Sequence, residues 1–442
     1  MHIKEIITIF VLVIRKDAIK EIILQNQNRD LSYLKNRDIE VPVNTGKIIS
    51  ITGVRRCGKT HLLLLTISKL FANSIGKENI IFINFEDERL NMKAEELDLI
   101  IQSYRELYPE KAIKEVHFFF DEIQNLQGWE KFVRRVYDTV SQNIYITGSN
   151  SKMLSSDIAT ALRGRNINIE MFPLSFAEYV SFKNIDTNFY LPDNRAVLVN
   201  ELKSYILTGG FPEIIGSKFS QKILHDYYYV MLYKDLIERY EIKNIPALKY
   251  FLTRLIVNIG KPSSIHKIYN ELKSAGYKIS KDSLYQFAEY ADSIYMSFKI
   301  SKFGYSFIKS EQSEKKIYFI DNGLVNSLTY QFSENYGVLL ENAVFLYLRQ
   351  KWGNSIYFHK NKTECDFVVV DKDKIFDVIQ VSYDIEDKET LDREIRGLEN
   401  AAQYFKINKG TIITFDQERE SFVTKKQVQI DIIPAFKYFL SR

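Results

Sequence analysis

Gly53-Val54-Arg55-Arg56-Cys57-Gly58-Lys59-Thr60 is a complete G-x-x-x-x-G-K-[ST] phosphate-binding loop, and its flanks fit it. Ile48-Ile49-Ser50-Ile51-Thr52 before it is apolar and β-branched, the composition of a buried strand. His61 to Leu70 after it reads as a buried helix. A nucleoside triphosphate needs a turn whose backbone N–H groups surround its phosphates. Gly53 and Gly58 let the backbone approach closely, and the helix N-terminus adds a positive dipole end. In such a loop Lys59 reaches the β- and γ-phosphates and the Thr60 hydroxyl ligates Mg²⁺.

The pattern from Lys47 to about Phe172 alternates strand and helix. Ile80 to Phe85, Val116 to Phe120 and Ile144 to Thr147 read as three more buried strands. Alternating βα units imply an α/β fold with a parallel sheet covered on both faces. The third strand runs into Asp121-Glu122. Two acids after a run of aromatics are what a P-loop ATPase uses there, the first to hold Mg²⁺ and the second to polarise the attacking water. The fourth strand ends in Thr147-Gly148-Ser149-Asn150, which offers Ser149, then Asn150, as a polar side chain facing the γ-phosphate. Asn84, at the end of the second strand, is a weaker candidate for modulating Glu122. Arg163 and Arg165, in Leu162-Arg163-Gly164-Arg165, are candidate fingers, in cis or from a second copy of the chain. Where a finger operates it contributes roughly 10³–10⁵ in rate. Asn361-Lys362-Thr363-Glu364 imitates a guanine-reading motif, but it ends in Glu and lies far from the sheet, so ATP is the expected nucleotide.

The chain of 442 residues is too long for one ordinary core. A net charge of +4 places no global basic field on it, so any nucleic-acid contact must come from local patches. Two cysteines exclude a disulfide scaffold and a cysteine-rich zinc site, and suit a reducing cytoplasm. Ile6 to Ile14 is nearly all apolar, but nine residues cannot span about 30 Å of hydrocarbon as a helix. Arg15-Lys16-Asp17 follows without a small-residue cleavage site, so this segment is expected to be a buried strand or helix start, with no membrane partner.

Beyond the sheet, Pro173 to about Lys243 reads as helical, broken at Thr208-Gly209-Gly210-Phe211-Pro212. Residues 246 to about 320 then give three short helices and two strands, Tyr295–Ile300 and Lys315–Ile320, the pattern of a winged helix. Residues 241–320 hold thirteen Lys/Arg against seven Asp/Glu, an excess that suits phosphate contacts. The expected recognition helix, Asp282 to Glu289, carries acids and no arginine, so base-specific reading is unsupported and packing against a protein is the competing use. The last hundred residues mix helix and strand.

Gly53–Thr60, Ile83-Asn84-Phe85-Glu86-Asp87, Phe120-Asp121-Glu122-Ile123-Gln124, Thr147-Gly148-Ser149 and Pro173 to Tyr179 together resemble the archaeal and bacterial family of AAA-superfamily ATPases with a C-terminal domain of unknown function. The resemblance continues through Thr208–Pro212 and Tyr318 to Gly323. It implies an AAA-type ATP-binding domain over residues 1–172, a helical lid over 173–245, a winged helix over 246–330 and a restriction-endonuclease-like domain over 331–442. Endonucleases of that fold use an acid on a helix, an Asp opening a strand, and an acid-x-Lys on the next strand. Glu341 and Asp366 match the first two elements, whereas Gln380-Val381-Ser382 replaces the third. Gln380 is a poorer Mg²⁺ ligand and Ser382 supplies no ammonium, so a degenerate site that binds rather than cuts is expected, with Lys360 or Lys362 as substitutes if activity survives. The function so implied is an Mg²⁺-dependent ATPase that couples nucleotide state to duplex DNA. The alternatives are a slow-turnover switch acting on a protein partner and an ATP-gated nuclease.

Overall fold

The computed structural model describes residues 3–90, 92–150, 162, 164–304, 314–328 and 335–441. The chain divides into two compact units, Met1–Met171 and Phe172–Arg442.

The first unit is built on five parallel strands: β1 (Ile48–Gly53), β2 (Ile80–Asn84), β3 (His117–Asp121), β4 (Ile144–Gly148) and β5 (Asn166–Met171). Their order is β2-β3-β4-β1-β5, so β4 lies between the phosphate-loop strand and the acid-bearing strand. The apolar, β-branched and aromatic runs of β1, β3 and β4 are buried at every position. Phe119 stacks on Tyr145 at 4.5 Å between ring centres, and Phe120 packs on Phe132 at 5.7 Å. Burial of each such ring stabilises the sheet by roughly 1.5–3 kcal/mol. Helices α1 (Ile3–Gln27), α2 (Lys59–Ala72), α3 (Asp98–Leu107) and α4 (Trp129–Thr139) accompany the sheet. The apolar run Ile6–Ile14 is thus part of a 25-residue helix rather than a strand.

The edge strand β5 has no counterpart among the four strands expected from the sequence. Its Asn-Ile-Asn-Ile-Glu-Met pattern is only partly buried. Asn168 Oδ1 accepts from the Ser50 hydroxyl at 2.8 Å and the Thr52 hydroxyl at 3.2 Å, which satisfies the polar groups inside β1.

The second unit starts with helices. Ser175 opens α5 (Phe176–Phe182) with a reciprocal capping box to Glu178. Then come α6 (Pro192–Thr208) and α7 (Ser220–Val230), which runs on as a π-helix over Met231–Glu238. Next come α8 (Ile245–Val257), α9 (Ile265–Ser274) and α10 (Lys281–Ser293). Each begins at a side-chain cap, from Asn244, Ser264 and Ser280 respectively. Strands β6 (Ser297–Ser301) and β7 (Lys315–Phe319) pair antiparallel behind them.

After α11 (Asn322–Leu328) and α12 (Tyr336–Trp352), a six-stranded mixed sheet forms. It comprises β8 (Ile356–Lys360), β9 (Glu364–Asp371), β10 (Lys374–Val381), β11 (Lys409–Thr414), β12 (Arg419–Val423) and β13 (Gln429–Pro434), with α13 (Lys388–Phe405) between β10 and β11 and α14 (Ala435–Leu440) last. The strand order is β12-β13-β11-β10-β9-β8. No helix among the described residues is long and apolar enough to cross a membrane.

Candidate nucleotide site and a second buried cluster

Because β1, β3 and β4 are parallel and in register, their C-terminal ends gather the loop, Asp121-Glu122 and Thr147-Gly148-Ser149 at one edge of the sheet. This edge is where parallel α/β sheets bind ligands. Gly58 stands at φ +104°, a conformation open to glycine, and leads directly into α2. At Gly53 a Cβ would lie 2.1 Å from the Met171 carbonyl oxygen, so only glycine fits between β1 and β5. The carbonyl of Val54 faces the Lys59 ammonium, Arg55 pairs with Glu86 at 2.8 Å, and Arg56 takes φ +70°. Cys57 is buried, and burial pushes its thiol up. Its carbonyl accepts from Arg37 at 2.9 Å, a brace that the sequence did not signal. A cavity of about 350 Å³ is lined by Arg55, Arg56, Gly58, Lys59, Thr60, His61, Glu86 and Glu122. That is within the usual size of a small-molecule site.

Lys59 is only 3% exposed and turns inward. Its Nζ donates to the carbonyls of Gly53 at 3.2 Å and Val54 at 3.1 Å, and lies 3.4 Å from Glu122. Burial, the largest single influence, would lower its pKa, but Glu122, Cys57 and Asp121 together hold it above the ordinary lysine value. Burial likewise pushes the Glu122 carboxyl up, and Lys59, Gln124 and Arg55 together more than offset this, leaving it below the usual range. The Thr60 hydroxyl donates to Asp121 at 2.8 Å, and the Thr147 hydroxyl donates to the other oxygen of Asp121 at 2.6 Å. Burial raises Asp121 in spite of those two hydrogen bonds. The result is a buried carboxylate beside a threonine hydroxyl, hard oxygen donors of the kind Mg²⁺ takes.

Ser149 is buried beside this group, 3.3 Å from Gln124 Nε2, and Asn150 follows at the strand end. Asn84 is turned elsewhere, accepting from the Glu86 N–H at 2.8 Å. Arg163 lies outside the described residues. Arg165 precedes β5, and its backbone carbonyl accepts from the N–H of Ile48, at the end of the sheet opposite the loop. There its guanidinium pairs with Asp138 at 3.1 Å and lies over the Tyr137 ring. The structure therefore does not bring Arg165 into its own chain's cavity.

In the second unit Glu341 on α12 and Asp366 on β9 do come together, around a residue not anticipated from the sequence. Lys316, 1% exposed on β7, has its Nζ 2.9 Å from Asp366, 2.9 Å from Glu364 and 3.1 Å from Glu341. The Tyr318 hydroxyl donates to Glu341 at 2.7 Å. Burial would lower Lys316, but Asp366 and Glu341 raise it well above the ordinary value. Burial carries Glu341 up to about 7 against the pull of Lys316. Gln380 is committed elsewhere: it accepts from the Asp366 N–H at 2.7 Å and donates to Glu394 at 2.6 Å. Ser382 donates to the Asp384 carbonyl at 3.0 Å. Lys360 stands at the rim, 3.6 Å from Glu364, and Lys362 is exposed. The lysine at this cluster is thus neither of the two considered from the sequence. Among the described residues no group of three or more His, Cys, Asp or Glu is arranged to hold a metal ion.

A family model described as an AAA domain matches residues 45–180, and one described as a domain of unknown function (DUF8612) matches residues 199–355. The chain is 37% identical to the uncharacterized protein MJ1544 of Methanocaldococcus jannaschii over 97% of its own length and 96% of that protein's. The chain belongs to this family of AAA-domain P-loop proteins. An uncharacterized protein of Haemophilus influenzae is 30% identical, covering 77% of this chain and 84% of its own. A solved structure of C. elegans PCH-2 matches at 15% identity over 63% of this chain and 66% of its own, with a TM-score of 0.22, too low to carry an argument. The phosphate loop, Asp121-Glu122 and Thr147 all lie inside the matched AAA domain.

Proposed function

We propose that this chain is an Mg²⁺-dependent, ATP-hydrolysing member of the AAA-domain family. The observation that carries the reading is that Lys59, Thr60 and Glu122 line one cavity while Asp121, bonded to Thr60 and Thr147, lies directly behind Thr60. In it Lys59 would leave its two carbonyl partners for the phosphates. Thr60 and Asp121 would hold Mg²⁺, which supplies charge neutralisation on the β- and γ-phosphates. Glu122, the buried carboxylate beside them, would take the proton of the attacking water, and Ser149 with Asn150 would face the γ-phosphate. Arg163 remains a candidate finger, and Arg165 fits that role only toward a second copy of the chain, in a homo-oligomer.

The second unit is proposed to hold a helical lid over residues 173–245, a winged helix over 246–330 and a nuclease-like domain over 331–442. Three capped helices followed by an antiparallel ribbon support the winged helix. The lysine excess there makes duplex DNA the favoured partner of the ATP-driven cycle. The nuclease-like site is proposed to bind and not cut. Its acids already surround the ammonium of Lys316, while Gln380 and Ser382 are spent on local hydrogen bonds. A steady-state ATPase assay with and without duplex DNA tests the reading. Turnover that needs Mg²⁺, rises with DNA and disappears in Lys59→Ala is expected. Tight nucleotide retention with no turnover would favour a protein-directed switch. Metal-dependent DNA cleavage abolished by Asp366→Ala would favour a gated nuclease.

A further inference from the structure

Glu122 is held in an unusual way. Its backbone sits at φ +50°, a region that non-glycine residues rarely enter, between the end of β3 and a short turn over Ile123–Asn125. Its N–H donates to the Thr147 hydroxyl at 2.8 Å, which ties the main chain to β4. Its two carboxylate oxygens have different partners. One faces Lys59, and the other accepts from the side-chain amide of Gln124. The same Gln124 Nε2 lies 3.3 Å from the Ser149 hydroxyl at the end of β4. The amide oxygen of Gln124 is buried and has no donor among the described residues. Asn84, the neighbouring amide that the sequence offered for this task, is engaged with the N–H of Glu86.

We propose that Gln124 is the positioning residue for Glu122, holding its carboxylate against the end of β4 once the nucleotide draws Lys59 away. The inference rests on the ATPase reading above. In the arrangement seen here Lys59 restrains one side of the carboxylate, but phosphates compete for that same ammonium. Without a second tether the glutamate would regain its rotamer freedom at the moment a fixed base is needed. Gln124 supplies that tether with a neutral N–H. A neutral donor fixes the direction of a carboxylate and leaves its charge available to accept a proton, whereas a lysine or arginine there would compete for that charge. Because the donor also reaches Ser149, the base and the polar end of β4 move as one unit.

The test uses the full chain and four variants: Gln124→Ala, Gln124→Met, Glu122→Gln and the double variant Glu122→Gln/Gln124→Ala. Gln124→Met keeps the length of the side chain and removes the donor, so it guards against a packing defect. Both Gln124 variants are expected to lower kcat by roughly 10- to 100-fold, the scale of a small misplacement of a catalytic group. ATP affinity, KM and the melting temperature should stay at the wild-type values. In the Glu122→Gln background the Gln124→Ala change should cost nothing further, since residues acting through one group are not additive. Unchanged kcat in both Gln124 variants overturns the proposal, and so does an equal loss in both backgrounds. A loss seen in affinity or melting temperature alone reduces Gln124 to a structural role. Wild-type turnover in Glu122→Gln would instead remove the base assignment itself, and absence of turnover in the wild type would remove the ATPase reading on which this rests.

Discussion

Two buried lysines, Lys59 and Lys316, each face carboxylates, and they have opposite consequences. Lys59 shares its ammonium between two backbone carbonyls and one glutamate at 3.1–3.4 Å, on the wall of a cavity of about 350 Å³. Lys316 is surrounded by three carboxylates at 2.9–3.1 Å and a tyrosine that bonds to one of them. Neutral carbonyls are partners that phosphates can outbid. Three carboxylates around one buried ammonium are not, because removing the ammonium would leave clustered, partly buried negative charge uncompensated. On the proposed reading the first lysine exchanges partners during a cycle, whereas the second ties the ribbon, α12 and the C-terminal sheet together.

The largest expected effect breaks the first half of this comparison. Lys59→Ala should abolish nucleotide binding or nearly so, measured by fluorescent nucleotide titration, while the melting temperature without nucleotide changes little. Lys316→Met should do the reverse. It should cost about 3–5 kcal/mol of stability near neutral pH, the range for breaking a buried ion pair from one side, read by urea unfolding. Nucleotide affinity should be intact in whatever fraction stays folded.

A smaller effect follows from the buried acids of the second unit. Asp321 accepts from the N–H groups of Gly210 and Leu324, yet burial pushes it up to about 7, and Glu341 is carried to the same region. A carboxyl whose folded pKa lies above its unfolded value binds more protons when folded between the two, so its contribution weakens as pH rises through that window. The stability of wild type relative to Asp321→Asn should therefore grow as pH falls from about 8 to about 5, because Asn does not titrate. A pH-independent difference would show that Asp321 is ionised throughout.

The phosphate loop and Asp121-Glu122 were legible because they are local: each motif is a few consecutive residues with fixed flanks. The strands β1, β3 and β4 were legible because central strands of a parallel sheet are uniformly apolar, and β2, at the other edge, because α1 packs along it and its first four residues are buried. β5 was hidden by its own position, since an edge strand alternates polar and apolar residues and its Asn166 and Asn168 disfavour a strand by propensity. β12, Arg419–Val423, is almost wholly exposed and was hidden for the same reason. Lys316 was hidden differently. It stands beside Lys315, and only the alternation of β7, which puts Lys316 and Tyr318 on one face, separates the buried lysine from the part-buried one. Its partners come from α12 and β9, a meeting no short stretch of sequence announces. Gln124 was visible in the motif but had no role until its amide was seen between Glu122 and Ser149.

The smallest effect concerns Arg165. Arg165→Ala should change the stability of the first unit by no more than about 0.2–1 kcal/mol, as for a partly exposed ion pair, and leave single-chain nucleotide binding untouched. A large loss of turnover, rescued by mixing with Lys59→Ala protein, would place Arg165 at the cavity of a second copy.

On the proposed reading Lys59 and Glu122 form one working pair, a phosphate ligand and a base, at the same cavity. The direct measurement is bound nucleotide and steady-state ATP hydrolysis on the same preparation of Glu122→Gln. Binding at wild-type affinity with turnover slowed roughly 10²- to 10⁴-fold, the range for a lost general base, is the predicted result. Full turnover, or loss of binding together with turnover, would contradict it.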